Sequence, residues 1–190
     1  MSELIKELQT EYGYSDYDIA KVKYVLTCIF SELSKLIIFG IIFGLTGYFA
    51  SFIISLILLL FLRINIGGFH CKHYISCLLL TSVILYASIV LLPNIMHPSY
   101  ILILIISAIC MIVNYSIGPI CSPFRPSPDS LLLKHCRNNG FIVIFIYVLF
   151  VSIFQNNTFL VPYIYVGFWT IVLHTVQLII AKLLRKRGFY

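Results

Sequence analysis

An all-α, polytopic membrane fold of about six transmembrane helices, preceded by an amphipathic interfacial helix, is what this sequence predicts, and three observations predict it. Apolar residues make up 61% of the 190 and charged residues 11%, whereas soluble domains run near one half and one quarter. The apolar residues gather into runs near 20–47, 49–64, 73–92, 99–117, 138–154 and 159–181. At roughly 20 residues per crossing, that is room for about six spans and little else. The third observation is where the basic residues fall. With the amino terminus in the cytoplasm, Lys6, Lys21, Lys23, Arg63, Lys72, Arg125, Lys134, Arg137, Lys182, Arg185, Lys186 and Arg187 lie in or beside cytoplasmic segments, and Lys35 is the exception. The external connections, Gly47 with Tyr48, 93–98 and 155–158, are uncharged, as the positive-inside rule expects of short loops. Residues 1–190 are therefore read as a single integral membrane domain with both termini cytoplasmic.

This composition excludes several classes. No soluble catalytic domain fits beside the spans. The net charge of +6 is scattered over the ends of apolar segments rather than gathered on one polar face, so lipid bilayer and not nucleic acid is the expected partner. Glu3, Lys6, Glu7 and Glu11 replace the basic patch and apolar run of a cleaved secretory signal, so none is expected. Cys28 and Cys110 sit inside apolar runs, and the other cysteines flank basic residues, which suits free thiols or small buried hydrophobes better than a disulfide framework.

Taken along the chain, residues 1–14 place Leu4, Ile5 and Leu8 among charges at helical spacing, an amphipathic surface helix. Ser15 and Asp18 have the spacing of a capping box at the start of the first span. Residues 36–62 form one long apolar stretch, and a hairpin turning at Gly44-Leu45-Thr46-Gly47 is preferred to a single tilted crossing, because two glycines supply the backbone angles of a tight turn. Within the first span Glu32 and Lys35 share a helix face. Each alone costs about 2.5–3.5 kcal/mol at mid-bilayer, so the pair is expected to face protein or lie near the surface, as a structural pair or in contact with substrate. The stretch 118–128 holds Pro119, Pro123, Pro126 and Pro128 and cannot be helical throughout. Asn114 and the His174/Gln177 pair read as interhelical hydrogen-bonding groups, or as the lining of a path in a small transporter or channel component without peptidase activity.

The chemistry gathers in Gly67-Gly68-Phe69-His70-Cys71-Lys72-His73-Tyr74-Ile75-Ser76-Cys77, at the cytoplasmic mouth of the third span. Cys77 supplies a thiolate nucleophile and a nearby imidazole accepts its proton. Arg63, Lys72 and the positive end of a helix starting near Cys71 favour the thiolate. Gly67 and Gly68 allow close backbone approach and can expose amide donors to an oxyanion. In one continuous helix His70 and Cys77 would stand about 10.5 Å apart along the axis. His70 therefore serves only if the chain before roughly Lys72 leaves the helix or if His70 meets Cys77 of another protomer, and spacing alone favours His73. A metal site built from His70, Cys71, His73 and Cys77 is the remaining alternative, but the spacing matches no standard zinc motif. No metal and no cofactor is expected. Asn65 and Ser76 are close enough in sequence to orient an imidazole.

Arg63, Gly68, His70 and, seven residues after that His, Cys77 in a polytopic chain of this length resemble the accessory gene regulator B (AgrB) family of bacterial quorum-sensing membrane cysteine endopeptidases. The resemblance extends to the amphipathic amino terminus, the Gly118-Pro119 through Arg125-Pro126 segment and the basic carboxyl end. It departs in Cys71 and His73, extra candidates within the motif, and in the single Arg125 where relatives often carry a lysine run. What it implies is that His70 acts with Cys77. The implied activity is cleavage of a small AgrD-like precursor peptide on its carboxyl-terminal side through a thioester, and closure of a thiolactone or lactone signal. The implied setting is the bacterial cell membrane with the active site at the cytoplasmic face, Arg125 and Lys72 near substrate, and a homodimer.

Overall fold

The structure, a computed structural model, describes residues 15–69, 73–121 and 128–186. The expected amphipathic helix over 1–14 lies outside them. Among the described residues six helices are long and apolar enough to cross a membrane: α1 (Asp16–Leu45), α2 (Phe49–Ile66), α3 (Tyr74–Ile95), α4 (Tyr100–Ile117), α5 (Ser130–Phe154) and α6 (Val161–Lys186). No strand occurs among the described residues, and the protein is an all-α, multi-pass membrane protein.

Local chemistry sets the ends of these helices. Ser15 is the N-cap of α1, its Oγ accepting from the Asp18 N–H at 3.2 Å, and Asp16 and Asp18 lie in the first turn, where acidic groups complement the helix dipole. The helix thus begins ahead of the apolar run drawn from residue 20. It ends at Leu45, and Gly47 turns the chain with φ +79°, an angle that favours glycine. Across this hairpin the Phe43 and Phe52 rings stack at 5.3 Å. Within α3, Pro93 has no N–H to offer the carbonyl of Ile89. Just ahead of it Ala87–Leu91 widens into a π turn, and the Leu92 N–H reaches back to the Ala87 carbonyl. The α5 helix starts at Ser130, well before the apolar run at 138. Its polar first turns hold Lys134, His135 and Arg137; hydropathy marks where hydrocarbon begins, not where helix begins.

The α6 helix is the centre of the bundle, with 61% of its apolar window buried inside the protein. It packs against α2, α4 and the π turn of α3, while α1 lies at the edge against α2 and α3. The main core gathers Leu62 and Ile66 of α2, Ile144, Tyr147 and Val151 of α5, and Phe168, Ile171 and Leu178 of α6. Ile66 lies against the bare backbones of Gly118 and Gly140, where a Cβ on either would overlap it. Buried polar groups pair between helices: Ser55 Oγ with Thr170 Oγ1 at 2.8 Å and with Ser88 Oγ at 3.3 Å, and Asn114 Nδ2 donating to Thr175 Oγ1 at 2.7 Å. Without a hydrophobic drive between spans in lipid, such pairs and close packing hold the helices together.

Candidate functional site

The α2 helix stops at Ile66 because Gly67 adopts φ +79° and ψ −148°, a region open essentially to glycine alone. There the Ile120 N–H donates to the Ile66 carbonyl at 2.9 Å, and Gly67 pairs with Ile120 in a short parallel bridge. A Cβ at position 67 would collide with the Ile120 carbonyl oxygen. The partner segment is held in turn by Arg137, whose Nε donates to the Gly118 carbonyl at 3.1 Å. From α6, His174 Nε2 donates to the Gly67 carbonyl at 3.1 Å, and Gln177 Nε2 donates to that of Phe69 at 3.4 Å. Both side chains are buried, His174 completely. Asn114 thus bonds another helix, as its sequence position predicts, whereas His174 and Gln177 hold the backbone of the glycine loop; the connection folds back far enough to meet α6.

Beyond this loop the sequence-based picture needs one correction. The described part of α3 begins at Tyr74, not near Cys71, because His73 is an extended N-cap with φ −108° and ψ 142°. The separation calculated for a continuous helix from His70 to Cys77 therefore does not apply: the helical register is broken between them. His70, Cys71 and Lys72 lie outside the described residues, as does Arg125.

Cys77 stands in the first turns of α3, its N–H bonded to the His73 carbonyl at 3.1 Å, and its thiol is half-buried. Among the described residues its side-chain partner is Lys35 of α1, whose Nζ lies 3.3 Å from Sγ. The same ammonium donates to Glu32 Oε1 at 2.6 Å. The His73 ring is exposed and makes no hydrogen bond to the sulfur. A second tie between α1 and α3, Ser34 Oγ to Tyr74 Oη at 2.7 Å, sits beside the first and sets the register of the two helices. On the α2 side both terminal nitrogens of Arg63 lie 3.4 Å from Thr81 Oγ1. Thr81 is four residues beyond Cys77 and on the same face of α3. The Asn65 amide donates to the Phe61 carbonyl of its own helix at 2.8 Å.

Helical spacing reveals the Glu32/Lys35 pair in the sequence, but nothing there connects residue 35 to residue 77. That contact depends on how three spans pack. Chemically, the arrangement offers a half-buried thiol with an ammonium at hydrogen-bond distance, a guanidinium on the same helix face, and a backbone loop held from several sides. A cation beside sulfur stabilises its anion, the nucleophilic form.

These features define a six-span helical membrane protein with a half-buried thiol against a lysine of another span. The profile of the family named accessory gene regulator B matches residues 1–178, and the chain belongs to that family. It is 34% identical over 125 residues to an AgrB-like protein of Clostridium beijerinckii, an alignment covering 63% of this chain and 60% of that protein. With AgrB-like protein 1 of Clostridium perfringens (strain 13 / Type A) it shares 26% identity over 152 residues, 75% of this chain and 81% of the relative. The chain thus spans about 60% of the length of the Clostridium beijerinckii protein. No solved structure matches it.

Proposed function

We propose that this protein is a membrane-embedded cysteine endopeptidase of a quorum-sensing system, which cleaves a small AgrD-like precursor peptide on its carboxyl-terminal side and promotes closure of a thiolactone or lactone signal. Cys77 is the nucleophile and His70 its base. The imidazole takes the thiol proton, the sulfur attacks the scissile carbonyl, the C–N bond breaks, and the departing amine receives that proton. A nucleophilic side chain of the precursor then displaces Cys77 from the thioester, and the peptide closes into a ring. Exchange of one thioester for another is nearly isoenergetic, so the step needs no external energy source.

The observation that carries this proposal is the half-buried Cys77 thiol beside a cation, in a chain of the accessory gene regulator B family. The break at His73 supports His70 over His73, since it removes the helical register that kept His70 away. The basic residues at this end of the bundle, Arg63, Lys134, Arg137, Lys182 and Arg185, support a cytoplasmic site by the positive-inside rule and suit attraction of an acidic tail on the precursor. An active site at the membrane surface slows the competing hydrolysis of the thioester.

The test is co-expression with candidate precursor peptides and mass spectrometry of the products. A truncated or cyclised peptide is expected with the unaltered chain and with His73→Ala, and none with Cys77→Ser or His70→Ala. Processing that survives Cys77→Ser, or an acyl adduct mapped to Cys71, overturns the assignment.

A further inference from the structure

We propose that Lys35, supplied by the first span, is a third catalytic residue: its ammonium holds the Cys77 sulfur as an anion both when it attacks and when it is expelled, with Glu32 keeping the ammonium in place. The proposal rests on Cys77 being the nucleophile. Its starting point is a cation where cations are costly. A lysine inside a span is rare, pairs with another group, and marks function more often than packing. Neutralisation by Glu32 does not by itself explain the geometry. The carboxylate side chain is 52% exposed on the surface of α1, whereas the lysine is 3% exposed and turned inward. An ion pair formed only to cancel charge could leave both ends outside. Here the ammonium instead reaches Sγ at 3.3 Å, on a helix held at the right height by the Ser34–Tyr74 bond one residue away.

The contact is chemically suited to both halves of the reaction. Since Nζ donates to Glu32, Lys35 acts as a cation and hydrogen-bond donor, and the proton acceptor remains the imidazole. In the first step the thiolate, stabilised by Lys35, forms the C–S bond as the peptide C–N bond breaks, and the imidazolium protonates the departing amine. In the second step a thiol of the precursor gives its proton to the imidazole and attacks the thioester. The C–S bond to Cys77 breaks, and its electron pair returns to the sulfur beside Nζ. The same ammonium thus favours the nucleophile on the way in and the leaving group on the way out, and Glu32 keeps it in position while the sulfur is acylated and uncharged.

The decisive measurement needs no precursor. The full chain in detergent is treated with iodoacetamide at one near-neutral pH, and alkylation of each cysteine is followed by peptide mapping. Lys35→Met should slow alkylation of Cys77 about tenfold or more, leave half-buried Cys136 at its original rate, and leave buried Cys110 unreactive. Lys35→Arg should restore Cys77 to within about threefold, since it keeps the charge. If Lys35→Met opens the bundle, seen as reaction at Cys110, Lys35→Gln takes its place, keeping a donor without the charge. Cys77 reacting at the original rate in the neutral variant overturns the proposal, and so does an arginine variant as slow as the neutral one. Failure of the proposed peptidase function would appear separately, as precursor processing indifferent to Cys77→Ser while the alkylation contrast persists.

Discussion

Around α6, neutral buried side chains pair across the bundle: Ser55 with Thr170 and Ser88, Asn114 with Thr175. Where α1 meets α3 the buried group is charged, Lys35 between the exposed Glu32 carboxylate and the Cys77 thiol. Burial differs in step, with 61% of the apolar window of α6 inside the protein and 12% of that of α1. A hydroxyl or amide can be satisfied by one partner and sealed in, whereas a charge in low dielectric needs an opposite charge, which the Glu32 carboxylate supplies to Lys35. The core therefore suits a scaffold, and the edge suits the proposed nucleophile, which a substrate peptide would have to reach. Along the chain the two are joined through residues 67–69, where α6 bonds the carbonyls of Gly67 and Phe69 ahead of the helix that carries Cys77.

If that junction is the site, the largest effect comes from breaking it. Gly67→Val forces a β-branched residue into φ +79° and drives its Cβ onto the Ile120 carbonyl. The expected cost is about 2–3 kcal/mol of stability and a loss of precursor processing of about a hundredfold or more. Denaturation in mixed detergent and mass spectrometry of the product read the two. Processing that persists in a destabilised protein would separate the glycine loop from the chemistry.

The next effect is smaller and sharper, because it touches the loop from the core side alone. Gln177→Leu removes the donor to the Phe69 carbonyl without crowding anything. A hydrogen bond of this kind contributes about 0.5–1.5 kcal/mol, so processing should fall about three- to tenfold, with iodoacetamide reactivity of Cys77 unchanged. A parallel fall in that reactivity would mean that α6 also governs the α1–α3 edge.

Much of this architecture was legible in the chain, for identifiable reasons. Hydropathy reveals spans because lipid requires long apolar helices. Ser15 with Asp18, and the glycines at 44 and 47, reveal ends because caps and turns need particular side chains. What stayed hidden depends on packing between distant segments. The Lys35–Cys77 contact joins residues 42 apart, the Gly67–Ile120 pairing joins two loops, and the role of His174 and Gln177 depends on where a connection folds. The start of α5 was hidden for a different reason, since its first turns are polar and carry no hydropathy signal. The motif from Gly67 to Cys77 could be recognised as a cluster of reactive groups, but its cation could not, because that comes from another span.

A third change should leave chemistry alone. Asn114→Leu removes the bond to Thr175, whose Oγ1 keeps the Ile171 carbonyl at 2.8 Å, so no hydroxyl is stranded. The cost should be about 0.6–1.7 kcal/mol in detergent unfolding, with processing within twofold. A complete loss of processing in a folded variant would revive a polar path through the bundle centre as a functional element.

The smallest effect tests how local the α1–α3 edge is. Ser15 caps α1 at one end, and Lys35, 20 residues further along the same helix, lies about 30 Å away. Ser15→Ala should cost about 1 kcal/mol at most by exposing the first-turn amides, visible as faster hydrogen exchange there. Because a frayed turn does not propagate through a long helix anchored elsewhere, and because the Ser34–Tyr74 bond fixes α1 against α3 at the level of the sulfur, Cys77 alkylation should not change. Ser34→Ala makes the same substitution in the same helix and provides the contrast: there the register bond itself is lost, and Cys77 should alkylate about two- to threefold more slowly as Lys35 loses its fixed height. Equal behaviour of the two serine variants would show that α1 is positioned by its packing on α2 alone, and that the edge is not set by its own polar contacts.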